Sequence, residues 1–135
     1  MFAQLLMFSS TLIILSLVLM HTWITFSGNK LSPREQGLQE KLSNSYLVLT
    51  RQTTFWKAWI GFNASHSFGA ILFSLIYGYL ALLQTDLLFH STFLSGVGLL
   101  FLIGYFVLGK VYWFSVPFTG ISLALICYVA SLFAY

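Results

Sequence analysis

Apolar residues run along this chain in four long blocks, separated by polar segments of unequal length. The blocks cover about residues 2–26, 55–83, 93–108 and 116–135, and hold almost no charge. A bilayer core about 30 Å thick needs about 20 helical residues to cross it. A carboxylate or ammonium at its centre costs roughly 2.5 to 3.5 kcal/mol, so near-charge-free stretches of this length are read as spans. The second block is longer than the crossing needs and is expected to tilt or to project into water.

Gln84 to Thr92 and Gly109 to Ser115 are short turns, which force antiparallel neighbours, whereas a connection at about residues 27–54 joins the first two spans. The predicted fold class is an all-α membrane protein, a single domain built as an antiparallel bundle of four transmembrane helices. Inside the long connection, Ser32-Pro33-Arg34-Glu35 has the form of a capping box with proline at the first helical position. It predicts a short surface helix with Leu38 and Leu42 on one face and Glu35, Gln39, Glu40 and Lys41 on the others, weakened by Gly37. Ser115 is the expected cap of the fourth span, with Pro117 in its first turn.

Charge sharpens this picture. Of nine charged residues among 135, seven lie between Lys30 and Lys57, leaving Asp86 and Lys110 for the remainder. Composition agrees, at 59% hydrophobic and 7% charged. Because the basic residues belong to the first and third connections, the positive-inside rule places those connections in the cytoplasm and both termini outside. Trp23, Trp56, Trp59, Tyr112 and Trp113 gather toward the same boundary, as an interfacial aromatic belt does. The net charge of +3 is too small and too local for nucleic-acid binding. Cys127, the only cysteine, excludes an internal disulfide. The first block lacks the basic flank and small-residue site of a cleavable signal, and is expected to be retained as a span.

Polar side chains continue well inside the second span. Helical spacing aligns Trp59, Asn63, His66, Ala70, Phe73 and Tyr77, with Ser67 and Ser74 beside them. Asn and His facing lipid would leave donors and acceptors unsatisfied, so this stripe should face the bundle interior. His21 on the first span lies about 8 Å from the cytoplasmic end, against about 12 Å for Asn63 and about 16 Å for His66, so Asn63 is its expected partner in depth. Gly61, Ser65 and Gly69 recur every fourth residue as a small-residue ridge, expected to pack within the bundle, or alternatively between protomers.

The segment from Thr50 to Gly69 also carries a likeness. Its pattern T-R-x-T-x-x-W-x-A-W-x-G-F-N-x-S-H-S-x-G resembles a family of small uncharacterised bacterial four-span integral membrane proteins. The resemblance extends weakly over the whole chain, including His21 and Gly104-Tyr105 through Tyr112-Trp113. It implies the same architecture and a bacterial inner membrane, and it implies no reaction.

The remaining motifs exclude more than they establish. A transition metal or haem would have only His21 and His66 as ligands, an incomplete set without a nearby carboxylate or thiolate, so no cofactor is expected. Ser65-His66-Ser67 cannot form a nucleophile and base, since adjacent helical residues diverge by about 100° and no intramembrane acid orients the histidine. The same lack of carboxylates argues against an ion-coupled transporter. Arg51, beside Thr50, Thr53 and Thr54 at the start of the second span, suits an anionic headgroup or a snorkelling anchor.

Three functions remain. The first is a non-catalytic protein that binds a membrane lipid or other apolar ligand in an intrabundle cavity near the cytoplasmic face. His21, Arg51, Trp56, Trp59, Asn63, His66, Ser67 and Tyr77 would line it. The second is an accessory subunit of a larger membrane complex, or a homo-oligomer, docking through Gly61, Ser65 and Gly69. The third is a redox or transferase enzyme using His21 and His66.

Overall fold

Helix is the only regular structure in the chain, as a charge-poor sequence in lipid requires, because a helix satisfies its own backbone donors and acceptors. The computed structural model describes all 135 residues. Its helices are α1 (Phe2–Ser27), α2 (Leu38–Asn44), α3 (Phe55–Leu83), α4 (Thr85–His90), α5 (Thr92–Tyr112) and α6 (Ser115–Ala134). Of these, α1, α3, α5 and α6 are long and apolar enough to cross a membrane. The chain is an all-α four-helix bundle and an integral membrane protein. Leu5, Leu12, Leu75, Leu100 and Ile126 are exposed along these helices, on surfaces that suit lipid.

Two compact units divide the chain. The first comprises Met1–Val18 and Ala70–Tyr135. Every buried hydrophobic residue belongs to it, including Met7 and Ile14 of α1, Phe73 and Tyr77 of α3, Leu102 of α5, and Ala124 and Tyr128 of α6. Its helices are tied by side chains that reach a neighbour's backbone carbonyl. Gln4 Nε2 donates to Leu82 O at 3.2 Å, and Ser10 Oγ to Ala124 O at 2.7 Å. Tyr77 Oη donates to Leu94 O at 2.7 Å, and Tyr128 Oη to Ser95 O at 2.9 Å. Phe73 stacks on Phe101 at 4.2 Å between centroids, and Phe101 on Tyr105 at 4.4 Å. Near α4, Tyr135 Oη donates to Asp86 Oδ1 at 2.7 Å and its ring stacks on Phe89. That hydrogen bond to the carboxylate holds the Tyr135 phenol above its usual pKa.

The second unit, Leu19–Gly69, holds the end of α1, the long connection with α2, and the start of α3. Its only buried side chains are polar: Thr25, Asn63 and Ser67. Within the connection, residues 46–54 form a loop closed by an isolated antiparallel bridge between Tyr46 and Thr54. Thr54 Oγ1 then accepts from Lys57 N at 3.4 Å, which caps α3.

The expected spans hold to within a residue or two, except that α5 continues to Tyr112. Trp113 and Phe114 alone therefore join α5 to α6, and Trp113 packs against Tyr105 and the core rather than standing out in a belt. Gln84–Thr92 is likewise more than a turn, since it contains α4. The capping box does not form. α2 begins only after Gly37, whose φ of 79° lies in the left-handed region, so the glycine expected to weaken the helix instead precedes it. Ser115 is the first residue of α6 and Phe114 occupies the cap position, without a side-chain hydrogen bond.

Gly98 of α5 lies where the buried rings of Tyr77 and Tyr128 meet, and a methyl group there would collide with both. Gly98→Ala is expected to destabilise the detergent-solubilised protein by about 1 to 3 kcal/mol, the usual cost of overpacking. Gly104→Ala, on the same helix with open space around it, should leave the thermal midpoint nearly unchanged. Thermal unfolding of the two variants checks this.

Candidate functional site

Asn63 and His66 lie three residues apart on α3, which places them on one helical face. Asn63 is 9% exposed and His66 is half-buried. The amide Nδ2 of Asn63 donates to Trp59 O at 2.8 Å, which leaves Oδ1 to face α1. There it lies 3.2 Å from His21 Nε2, and this arrangement assigns the hydrogen to that nitrogen. The His66 ring stands edge-on to His21, with centroids 5.7 Å apart and planes at 79°. Ser67 Oγ donates to Asn63 O at 3.0 Å, and Thr25 Oγ1 to His21 O at 2.8 Å. No buried side-chain donor or acceptor in the chain lacks a partner.

The pairing of His21 with Asn63 follows the expected depths. The wider separation expected between His21 and His66 does not keep their rings apart. Chemically the cluster is a hydrogen-bonded knot. His21 Nε2 is engaged by Asn63, and no group of three His, Cys, Asp or Glu side chains converges anywhere in the chain.

Open space lies elsewhere in the second unit. One cleft of about 660 Å³ is formed by the end of α1, the following turn, α2 and the start of α3. Its polar lining is Thr25, Ser27, Asn29, Ser32 and Gln39. A second, of about 330 Å³, is lined almost wholly by apolar groups: Leu31, Pro33, Leu42, Phe55, Trp56 and Trp59. Leu31, Ser32 and Trp56 belong to both, so the clefts are neighbours. Both are open at the surface rather than enclosed.

No family model matches the chain, and neither does any curated protein or solved structure.

The expected site residues divide into groups. His21, Asn63, His66 and Ser67 come together, but they line neither cleft. Trp56 and Trp59 do line the clefts; Trp59, expected on the inner stripe, is 47% exposed. Tyr77 belongs to the first unit, where its hydroxyl is bound to Leu94 O. Arg51 is exposed and lines neither cleft, and the neighbouring hydroxyls of Thr50 and Thr54 accept from the backbone N–H groups of Gln52 and Lys57. Gly61 and Gly69 differ from the expectation of internal packing, since a methyl group on either would meet nothing within 4 Å. Sequence reasoning missed Thr25, Ser27, Asn29, Ser32 and Gln39. The available signal was the run of small polar residues that ends the first apolar block.

Because His21 and Asn63 are each other's cross-helix partner, their effects on stability should not add. A double-mutant cycle of His21→Leu and Asn63→Leu is expected to give a coupling of about 0.6 to 1.7 kcal/mol, the range for interhelical hydrogen bonds in lipid. Reversible unfolding in mixed detergent micelles measures it.

Proposed function

We propose that this is a small non-catalytic membrane protein that holds a lipid or another apolar molecule in the clefts beside Trp56. The observation that carries this reading is the adjacency of the two clefts, one lined by hydroxyls and amides and the other by aromatic and aliphatic groups. A membrane amphiphile has the same division along its length. The His21–Asn63–His66 cluster then serves the site indirectly, by fixing the end of α1, which lines the larger cleft, against α3, whose start lines both. In this reading the protein resides in a bacterial inner membrane, the connection at residues 27–54 faces the cytoplasm, and both termini lie outside. The basic residues of that connection support the orientation.

A second reading, an accessory subunit or homo-oligomer, is favoured by one observation. Gly61, Ser65 and Gly69 leave a shallow face on α3 that no part of the chain fills, with the Ser65 hydroxyl turned back onto Phe62 O at 2.9 Å.

Native mass spectrometry of the protein extracted gently from its own membrane tests the first reading. A discrete lipid-sized added mass is expected, and Trp56→Ala should remove most of it; a bare chain accompanied by other subunits favours the second. For orientation, Gln36→Cys in a Cys127→Ser background should be labelled by a membrane-impermeant maleimide in inverted vesicles and protected in intact cells. Labelling in intact cells would reverse the assigned topology.

A further inference from the structure

Five cations crowd the connection and its edges, yet none of them lines either cleft. Lys30, Arg34, Lys41, Arg51 and Lys57 are exposed, as are Glu35 and Glu40. The lining of both clefts is uncharged throughout. A phosphate seated there would exchange water for a surface with no countercharge.

The polarity of the lining narrows the choice further. Thr25 is buried, and its hydroxyl hydrogen is donated to His21 O, so toward the larger cleft it offers lone pairs only. Asn29 and Gln39 each carry both an acceptor and donors, and Ser27 and Ser32 do both through one oxygen. An ionised phosphodiester only accepts hydrogen bonds and would meet the lone pairs of Thr25 with its own oxygens. A free hydroxyl donates and accepts, which matches this mixture. Next to it, the apolar cleft and the shared wall of Trp56 and Leu31 provide a path for a hydrocarbon chain.

Resting on the lipid-binding reading above, we infer that the paired clefts select a neutral amphiphile with a free hydroxyl group, of the diacylglycerol class. Its free hydroxyl lies among Thr25, Asn29 and Gln39, and its acyl chains leave past Trp56. Arg51 and the lysines contact anionic headgroups of the surrounding leaflet and have no part in this selection.

The test is competition in nanodiscs that contain equal amounts of dioleoylglycerol and dioleoylphosphatidylethanol, an anionic phosphodiester without a free hydroxyl, in a phosphatidylcholine background, followed by native mass spectrometry of the released protein. Dioleoylglycerol should be retained about tenfold over the anionic lipid, the size expected from one or two unmatched polar groups. Asn29→Leu with Gln39→Leu, both at exposed positions, should abolish that preference without lowering the thermal midpoint, and Arg51→Gln should leave it intact. Preferential retention of the anionic lipid, released by Arg51→Gln or by salt, overturns the inference while the lipid-binding reading stands. Equal retention of both lipids overturns the selectivity alone. Retention of neither overturns both readings.

Discussion

The hydrocarbon core leaves no water to satisfy a stray donor or acceptor, and this structure is shaped by that constraint. Hydroxyls within the spanning helices return their hydrogen to a carbonyl one turn earlier, as Thr11 does to Phe8, Ser16 to Leu12, Ser74 to Ala70 and Ser122 to Phe118. Such bonds keep the polar groups silent toward lipid but tie no helices together. The ties come from the few side chains that reach across, and each targets a group already prepared to receive it. In the first unit these are backbone carbonyls, met by Ser10, Tyr77 and Tyr128 from among packed apolar side chains. In the second unit, where no buried apolar side chain contributes, the tie is the amide of Asn63, directed at His21 by its own bond to Trp59.

Much of the architecture is legible in the sequence, because span length and absence of charge are strong signals tied to the thickness of a bilayer. α3 is the clearest case, beginning at Phe55 and ending at Leu83 as the apolar block does. What the sequence misleads on is local and water-exposed. Ser32-Pro33-Arg34-Glu35 has the composition of a helix start, but Gly37 takes a left-handed conformation and α2 begins beyond it. α5 runs past the expected end because Lys110 sits in its last turn, where a cation is compatible with the helix dipole, and its charge suggested a boundary too early.

The candidate site was only half legible, for a physical reason. Periodicity identifies residues that share a face of one helix, so Asn63, His66 and Ser67 could be grouped, and their depth pointed to His21. It says nothing of space enclosed by an irregular segment. Both clefts use the turn after α1 and the α2 region, so Asn29, Leu31, Ser32 and Gln39 acquire their role only when the connection folds back over the start of α3. Trp59 illustrates the same limit: it shares the stripe of Asn63 but sits high enough on α3 to stand at the mouth of the apolar cleft, 47% exposed. The polar cluster and the two clefts are thus distinct features that have α3 in common.

Photo-crosslinking with a diazirine-bearing diacylglycerol in native-like bilayers, mapped by peptide mass spectrometry, would show whether a lipid occupies the space beside Trp56. If it does, adducts concentrate on the peptides that carry Leu31, Gln39 and Trp56. Adducts spread evenly over outward positions such as Leu100 and Ile126, with no enrichment at those residues, would contradict that occupancy.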